Sequence, residues 1–149
     1  MPLKKIPNVI SPHLLQVLAL MGHGDEIVFA DAHFPSSSIC KSGPTEVRAD
    51  GLDIPTLLDA VLELLPLDQY VDFPAALMDL VQSDKDKNLQ TPVWSKYREI
   101  INKHEGPQIQ IEKVERFAFY ERAKKAFAVV HTGETAQYGN IILKKGVAL

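Results

Sequence analysis

Four stretches of the chain carry apolar residues three or four positions apart, the spacing of one face of a helix. They cover residues 12–21, 53–65, 94–104 and 115–125. Ser11 and Pro12 are typical of a helix start, where serine caps the first turn and proline takes the first helical position. Gly22 ends this first helix, and Pro66 ends the second. The pattern therefore predicts four helices.

Short, almost wholly apolar runs predict buried strands between these helices. They are residues 27–30, 126–130 and 140–143. A shorter strand is expected at 46–49, while 75–81 fits a strand or a helix equally well. Segments 35–38, 41–44 and 83–90 are rich in polar or turn-forming residues and are expected to be loops. Strands that alternate with helices are typical of an α/β fold with helices on both faces of the sheet.

The composition is that of an ordinary globular domain, and it argues against several classes of protein. The 149 residues are 46% hydrophobic and 23% charged, which predicts a single domain over residues 1–149. The net charge is −3 without a basic cluster, so no nucleic-acid partner is expected. No apolar run approaches the roughly 20 residues that span a bilayer, so no membrane partner is expected. The single cysteine, Cys40, allows no internal disulfide, which favours a cytoplasmic location.

Polar residues follow the predicted strands where ligands bind in α/β sheets, at the carboxyl ends of the strands. These places are residues 31–33, residues 131–133 and the loop before Asn140. His23 is a further candidate, because the glycines on either side allow a tight turn that leaves the imidazole exposed. Histidine shuttles protons near neutral pH, and either Asp25 or Asp31 can supply a carboxylate to orient it. The same spacing also fits an ordinary solvated turn.

A metal site is a second interpretation of this region. His23, Asp25, Asp31 and His33 carry nitrogen and oxygen atoms of the kind that bind metals. Their spacing fits no familiar zinc pattern, and a predicted strand separates His23 from Asp31. A metal-assisted hydrolase or lyase that uses His23, Asp31 and His33 is therefore an alternative rather than the main hypothesis.

The segment Tyr138-Gly139-Asn140 offers a phenol and an amide beside a flexible glycine. Such polar pairs suit sugar hydroxyls, with the aromatic face covering the apolar side of the ring. A plain turn before a strand is the other explanation for the same residues. The sequence contains neither a glycine-rich phosphate loop nor a serine nucleophile elbow.

Five motifs occur in order along nearly the whole chain. They are GHGDEIV at 22–28, ADAHFP at 30–35, RADG at 48–51, ERFAFYERAKKAFAVV at 115–130, and the segment from TGE at 132–134 to YGNIILKKG at 138–146. Together these motifs closely resemble the D-ribose pyranase/L-fucose mutarotase family. The FAFYERA run at 117–123 is similar to the fucose branch, and Arg116 stands where the ribose branch tends to have a histidine.

The resemblance implies a three-layer α/β/α sandwich of the D-ribose pyranase type and an isomerase that needs neither cofactor nor metal. The implied reaction is interconversion of the α and β anomers of L-fucose by general acid/base ring opening and reclosure. His23 is implied as the general acid/base, and the implied sugar-binding residues are Asp31, Asp68, Arg116, Tyr120, Tyr138 and Asn140. The resemblance also implies a homo-oligomer whose neighbouring subunits share each active site. A protein that binds the sugar without catalysis is the remaining alternative.

Overall fold

The computed structural model describes residues 2–149, so Met1, the first residue of the predicted domain, lies outside the described residues. The helices and strands, in chain order, are α1 Pro12–Leu20, β1 Glu26–Ala30, α2 Ser36–Cys40, β2 Thr45–Ala49, α3 Ile54–Leu62, β3 Ala75–Met78, α4 Gln82–Asp86, α5 Pro92–Glu105, β4 Ile111–Val114, α6 Arg116–Ala123, β5 Ala128–Thr132 and β6 Ile141–Lys144. Over residues 2–149, no helix is both long and apolar enough to cross a membrane.

The strands form one six-stranded sheet in the order β2-β5-β1-β6-β3-β4. Strand β5 runs parallel to both β1 and β2, and β3 runs parallel to β4. Strand β6 alone runs antiparallel to its two neighbours, β1 and β3. The carboxyl ends of β1, β3 and β5 therefore meet the amino end of β6 at one edge of the sheet, which we call the carboxyl edge. The opposite edge is called the amino edge.

Side chains of β1 alternate between the two faces of the sheet, as the pleat requires. Ile27 and Phe29 pack in a buried cluster with side chains of α1, α3 and α5. Val28 and Ala30 pack on the other face in a second cluster that contains Phe119 of α6. Burial of a side chain the size of Phe29 contributes about 1.5–3 kcal/mol to folding. These two clusters confirm the predicted three-layer α/β/α architecture.

The helix starts follow the capping residues that the sequence contains. The Ser11 side chain accepts a hydrogen bond from the Leu14 backbone N–H at 3.1 Å, and Asp53 accepts one from Thr56 at 2.8 Å. Each such cap stabilises its helix by about 1 kcal/mol. Glu115 caps α6 in the same way, so Arg116 is fixed at the first turn of that helix.

Several element boundaries differ from the prediction because tertiary contacts decide them. The predicted loop at 35–38 is wrong from Ser36 onward, since Ile39 is buried in the second cluster and holds α2 against the sheet. The polar segment 83–90 contains most of the short helix α4, which has no buried residue. The ambiguous segment 75–81 is a strand from Ala75 to Met78, buried at all four positions.

Two further differences concern the sheet. Strand β4 was not predicted, because residues 111–114 mix apolar and charged side chains. It is an outermost strand of the sheet and pairs only with β3. Strand β5 begins two residues later than predicted and extends to Thr132. His131 therefore lies within the strand rather than in the loop that follows it.

Candidate active site

A cavity of about 330 Å³ opens at the carboxyl edge of the sheet. Its lining residues are Asp31, His33, Phe34, Met78, Val81, Asp84, Arg116, Tyr120, Gln137, Tyr138 and Asn140. Asp31 follows β1, Asn140 precedes β6, and Arg116 begins α6. The fold thus brings together five of the seven residues that the sequence predicts for catalysis and sugar binding.

Asp31 and Asn140 form the polar floor of this cavity. The backbone N–H of Asp31 donates to the Asn140 side-chain oxygen at 2.7 Å, which ties the loop after β1 to the start of β6. The Asp31 carboxylate accepts from the backbone N–H of His33 at 3.0 Å. Burial raises the pKa of Asp31, and the hydrogen bond from His33 offsets this only in part. Both side chains are therefore held in place for a ligand with hydroxyl groups.

Aromatic residues of α5 hold the turn that carries Tyr138. The indole N–H of Trp94 donates to the Tyr138 carbonyl at 2.8 Å, and the buried Tyr97 hydroxyl donates to the Gly139 carbonyl at 2.7 Å. Tyr138 has a φ of 57°, in the left-handed region. This conformation costs a non-glycine residue about 1–2 kcal/mol. The hydrogen bonds from α5 stabilise it, so the phenol is presented to the cavity in a fixed orientation.

The Tyr138 hydroxyl is itself positioned by two groups near α4. It donates to the carboxylate of Asp84 and accepts from the backbone N–H of Val81 at 3.2 Å. Burial raises the pKa of Tyr138, and the neighbouring Asp84 carboxylate raises it further. Tyr138 is therefore a protonated phenol at neutral pH, and its oxygen retains one lone pair for a ligand.

The first turn of α6 builds the outer wall of the cavity. The Arg116 guanidinium donates to the Tyr120 hydroxyl at 3.2 Å and lies over the rings of Phe117 and Tyr120. The Tyr120 ring also meets Phe34 edge-on, with 5.6 Å between ring centroids. An exposed cation and aromatic rings thus line the same cavity as the polar floor.

His23 lies at the amino edge, away from this cavity. Its Nε2 is 2.9 Å from Oδ1 of Asp68. Because an ionised carboxylate only accepts, Nε2 carries the hydrogen and Nδ1 is left for a ligand. The His23 side chain is 45% exposed, whereas that of Asp68 is 4% exposed. A half-exposed imidazole is therefore held by a buried carboxylate.

The carboxylate partner of His23 differs from both sequence-based candidates. Asp25 accepts from the backbone N–H of Gly22, and Asp31 is at the other edge. Burial on its own would raise the pKa of Asp68. The hydrogen bonds from the Tyr70 backbone N–H and from His23 outweigh burial, so the pKa of Asp68 lies below its usual value. Asp68 is thus ionised at neutral pH and orients the imidazole.

Strand β1 separates the two parts of the predicted site within one chain. Its five residues rise about 3.3 Å each, so its ends are about 13 Å apart. We call His23 and Asp68 the histidine half, and the cavity with its lining residues the cavity half. The metal alternative needs His23 beside Asp31 and His33, and the strand keeps them apart. Over residues 2–149, no group of three or more His, Cys, Asp or Glu side chains is placed to hold a metal ion.

The comparison with known proteins identifies the family. Residues 4–148 match the model of the RbsD/FucU transport protein family. This chain belongs to that family. Among its RbsD/FucU relatives, the mouse protein named fucose mutarotase is 67% identical over 144 residues, covering 97% of this chain and 94% of the mouse protein. The human protein of the same name is 65% identical over 145 residues, with the same coverage.

Solved structures of RbsD/FucU proteins have the same fold. The fucose mutarotase of Streptococcus pneumoniae, solved in complex with L-fucose, is 49% identical, with a TM-score of 0.90 over 99% of this chain and 100% of its own. Bacillus subtilis RbsD, solved in complex with D-ribose, is 24% identical, with a TM-score of 0.70 over 94% of this chain and 95% of its own. The second likeness extends the shared fold to a more distant protein.

The cavity of this RbsD/FucU chain also contains side chains that the sequence did not single out. Met78 ends β3 at the carboxyl edge, where the general rule for α/β sheets places ligands. It was missed because residues 75–81 were not assigned to a strand. Asp84 was missed because it lies in a polar segment that was expected to be an exposed loop. The spacing of residues gives no signal for Asp84, since its partner Tyr138 is 54 positions away.

Proposed function

We propose that this protein interconverts the α and β anomers of L-fucose. The observation that carries the proposal is the cavity half, in which polar and aromatic side chains line a space of about 330 Å³. This volume is near the lower end of the range for small-molecule sites, about 300–1,000 Å³, and suits a monosaccharide. The relatives named fucose mutarotase at 63–67% identity support L-fucose as the substrate.

The cavity half is proposed to hold the sugar. Asp31 and Asn140 are placed to bind hydroxyl groups, and the Tyr138 oxygen accepts from another. The rings of the outer wall cover the apolar side of the pyranose. Arg116 and Tyr120 bind a hydroxyl at the cavity mouth, where the guanidinium already meets the phenol.

The reaction opens the ring to the aldehyde and closes it on the other face. A proton is delivered to the ring oxygen as the bond from that oxygen to the anomeric carbon breaks. A proton also leaves the anomeric hydroxyl, whose oxygen becomes the carbonyl. Each positioned transfer contributes about 10² to 10⁴ in rate. Reclosure reverses both transfers, so the reaction is balanced without oxidation or reduction.

His23 is the proposed proton donor to the ring oxygen, through the Nδ1 atom that Asp68 leaves free. Asp68 holds Nε2 and stabilises the imidazolium while it carries the proton. The raised pKa of Tyr138 makes this phenol a hydrogen-bond partner of the sugar rather than a base. The proposed acceptor of the proton from the anomeric hydroxyl is a water molecule or Tyr120, which lines the same cavity.

We infer that the complete site forms between two subunits of a homo-oligomer. The histidine half and the cavity half lie at opposite edges of one sheet, so one chain cannot place both on the same sugar. A head-to-tail contact between copies joins the two halves, and repetition of this contact closes into a ring. The exposed aromatic residues Tyr70 and Phe117, one beside each half, support such a contact.

A cytoplasmic location is proposed on the basis of a single free cysteine, Cys40.

The proposed activity is tested by NMR on an equilibrated mixture of L-fucose anomers. An enzyme adds magnetisation exchange between the two anomeric proton signals, whereas a sugar-binding protein without catalysis gives saturation transfer alone. Saturation transfer without exchange would contradict the proposed activity.

We expect Arg116→His to weaken turnover of L-fucose more than turnover of D-ribose. Arginine offers a planar set of donors that an imidazole cannot reproduce, and the Arg116 fork is fixed at the cavity mouth by Tyr120. The expected loss of kcat/KM for L-fucose is about 10-fold. Arg48→His is the matched control, since Arg48 is also exposed and does not line the cavity. Equal losses on both sugars would assign Arg116 a structural role.

We expect Asp84→Ala to raise the KM for L-fucose by about 10-fold, because the Tyr138 phenol loses the acceptor that orients it. Asp84→Asn retains an acceptor and should have a smaller effect. The double variant Asp84→Ala/Tyr138→Phe separates an indirect from a direct role. If Asp84 acts through Tyr138, the double variant has the KM of Tyr138→Phe alone. Additive effects would indicate that Asp84 contacts the sugar itself.

A further inference from the structure

Tyr70 is a large aromatic side chain that is mostly exposed to solvent. It is 73% exposed, compared with 64% for Phe117 and 39% for Phe73. Its ring centroid is 5.4 Å from that of His23, with the two planes tilted by 53°. The most exposed aromatic ring thus stands directly beside the proposed proton donor.

A single buried oxygen atom fixes the relative positions of the two residues. Oδ1 of Asp68 accepts both from Nε2 of His23, at 2.9 Å, and from the backbone N–H of Tyr70, at 3.0 Å. The Tyr70 backbone is therefore anchored by the carboxylate that orients the imidazole. A group that binds to His23 is therefore close to the Tyr70 ring, whose centroid is 5.4 Å from that of the imidazole.

The cavity half is open to solvent on one side. Its floor is made by Asp31 and Asn140 and its outer wall by Arg116 and Tyr120, while the remaining side is open. The proposed function requires His23 of a neighbouring copy to approach from this open side. Tyr70 must approach with it, because Asp68 holds both.

We propose that Tyr70 enters the cavity half of the neighbouring subunit and covers the open face of the bound sugar. This inference rests on the proposed function and its shared site. An aromatic ring packs against the C–H face of a pyranose and excludes water from it. Tyr70 is therefore a sugar-binding residue supplied in trans, in the same half as His23 and Asp68.

Tyr70→Ala is expected to raise the KM and the Kd for L-fucose by about 5- to 10-fold, with a smaller effect on kcat. Tyr70→Phe keeps the ring and should stay close to the wild type. Tyr70→Leu keeps apolar bulk for subunit contact but loses the flat ring. It should therefore assemble and show the same rise in KM of about 5- to 10-fold. This variant tests the proposal even if Tyr70→Ala fails to assemble. Phe73→Ala, at a partly exposed aromatic on the same segment, is the matched control and should leave KM unchanged.

Mixed oligomers decide which half contains Tyr70. In the first mixture, His23→Ala/Tyr70→Ala chains are combined with Asn140→Ala chains. In the second, His23→Ala chains are combined with Asn140→Ala/Tyr70→Ala chains. Every active site in either mixture takes its histidine half from the Asn140→Ala chain. We therefore expect wild-type KM in the first mixture and a KM raised by about 5- to 10-fold in the second.

The reverse pattern, or equal KM in both mixtures, would overturn the inference. The Kd for L-fucose, measured by saturation-transfer NMR on each single variant, is a second readout that does not need turnover. Absence of anomer exchange in the wild type would overturn the proposed activity, and Tyr70 would then be judged by Kd alone. Unchanged Kd and KM in Tyr70→Leu, with exchange intact in the wild type, would overturn the role of Tyr70 and leave the activity standing.

Discussion

His23→Ala should lower the rate of L-fucose anomer exchange by about 10² or more, while the protein remains folded and assembled. The imidazole is half-exposed and contributes little to the core, so its removal leaves both buried clusters intact. The loss arises because the ring oxygen has no positioned proton donor. The exchange rate is measured from the anomeric proton signals of L-fucose, and circular dichroism and light scattering report fold and assembly.

His13→Ala is the matched control for this experiment. His13 is an exposed histidine on α1 and lies outside the histidine half. Its replacement should leave the exchange rate unchanged. A folded and assembled His23→Ala protein with near wild-type exchange would remove His23 from the mechanism. The proton donor would then have to be a side chain of the cavity half or a water molecule.

Elements that are determined by residues close together in the chain were predictable from the sequence. The apolar run at 27–30 is short, contains β-branched residues and has no polar side chain to place in water, which favours a strand covered on both faces, as β1 is. Ser11 and Asp53 are predictable caps because each satisfies backbone N–H groups within its own first turn. Strand β4 was not predictable in this way, because its short edge segment is stabilised by pairing with β3.

The candidate site was likewise predictable only in part. Asp31 was predictable, since it directly follows a buried strand, and Asn140 joins it because β6 enters the sheet antiparallel at the same edge. The partner of His23 was not predictable, since Asp68 is 45 positions away and only the fold brings it near. The sequence offered Asp25 and Asp31, of which Asp25 instead accepts from the Gly22 backbone and Asp31 lies at the carboxyl edge.

A mixture of two inactive variants, His23→Ala and Asn140→Ala, should regain activity after dissociation and reassociation of the subunits. The first variant retains a native cavity half, and the second retains a native histidine half. A site that joins the two native halves is complete, even though neither chain is. Random mixing makes about a quarter of the sites complete in a closed symmetric assembly. We therefore expect about a quarter of the wild-type exchange rate per site.

Each variant taken alone through the same treatment is the control, and native mass spectrometry establishes that subunits have exchanged. A mixture at a ratio of three to one should give three-sixteenths of complete sites rather than a quarter, by the same statistics of independent halves. This dependence on the ratio distinguishes trans assembly of the site from a general stabilisation of one variant by the other. If mixed oligomers form and the activity equals only the sum of the two residual activities, the site is not shared, and His23 must reach a sugar bound elsewhere on its own chain.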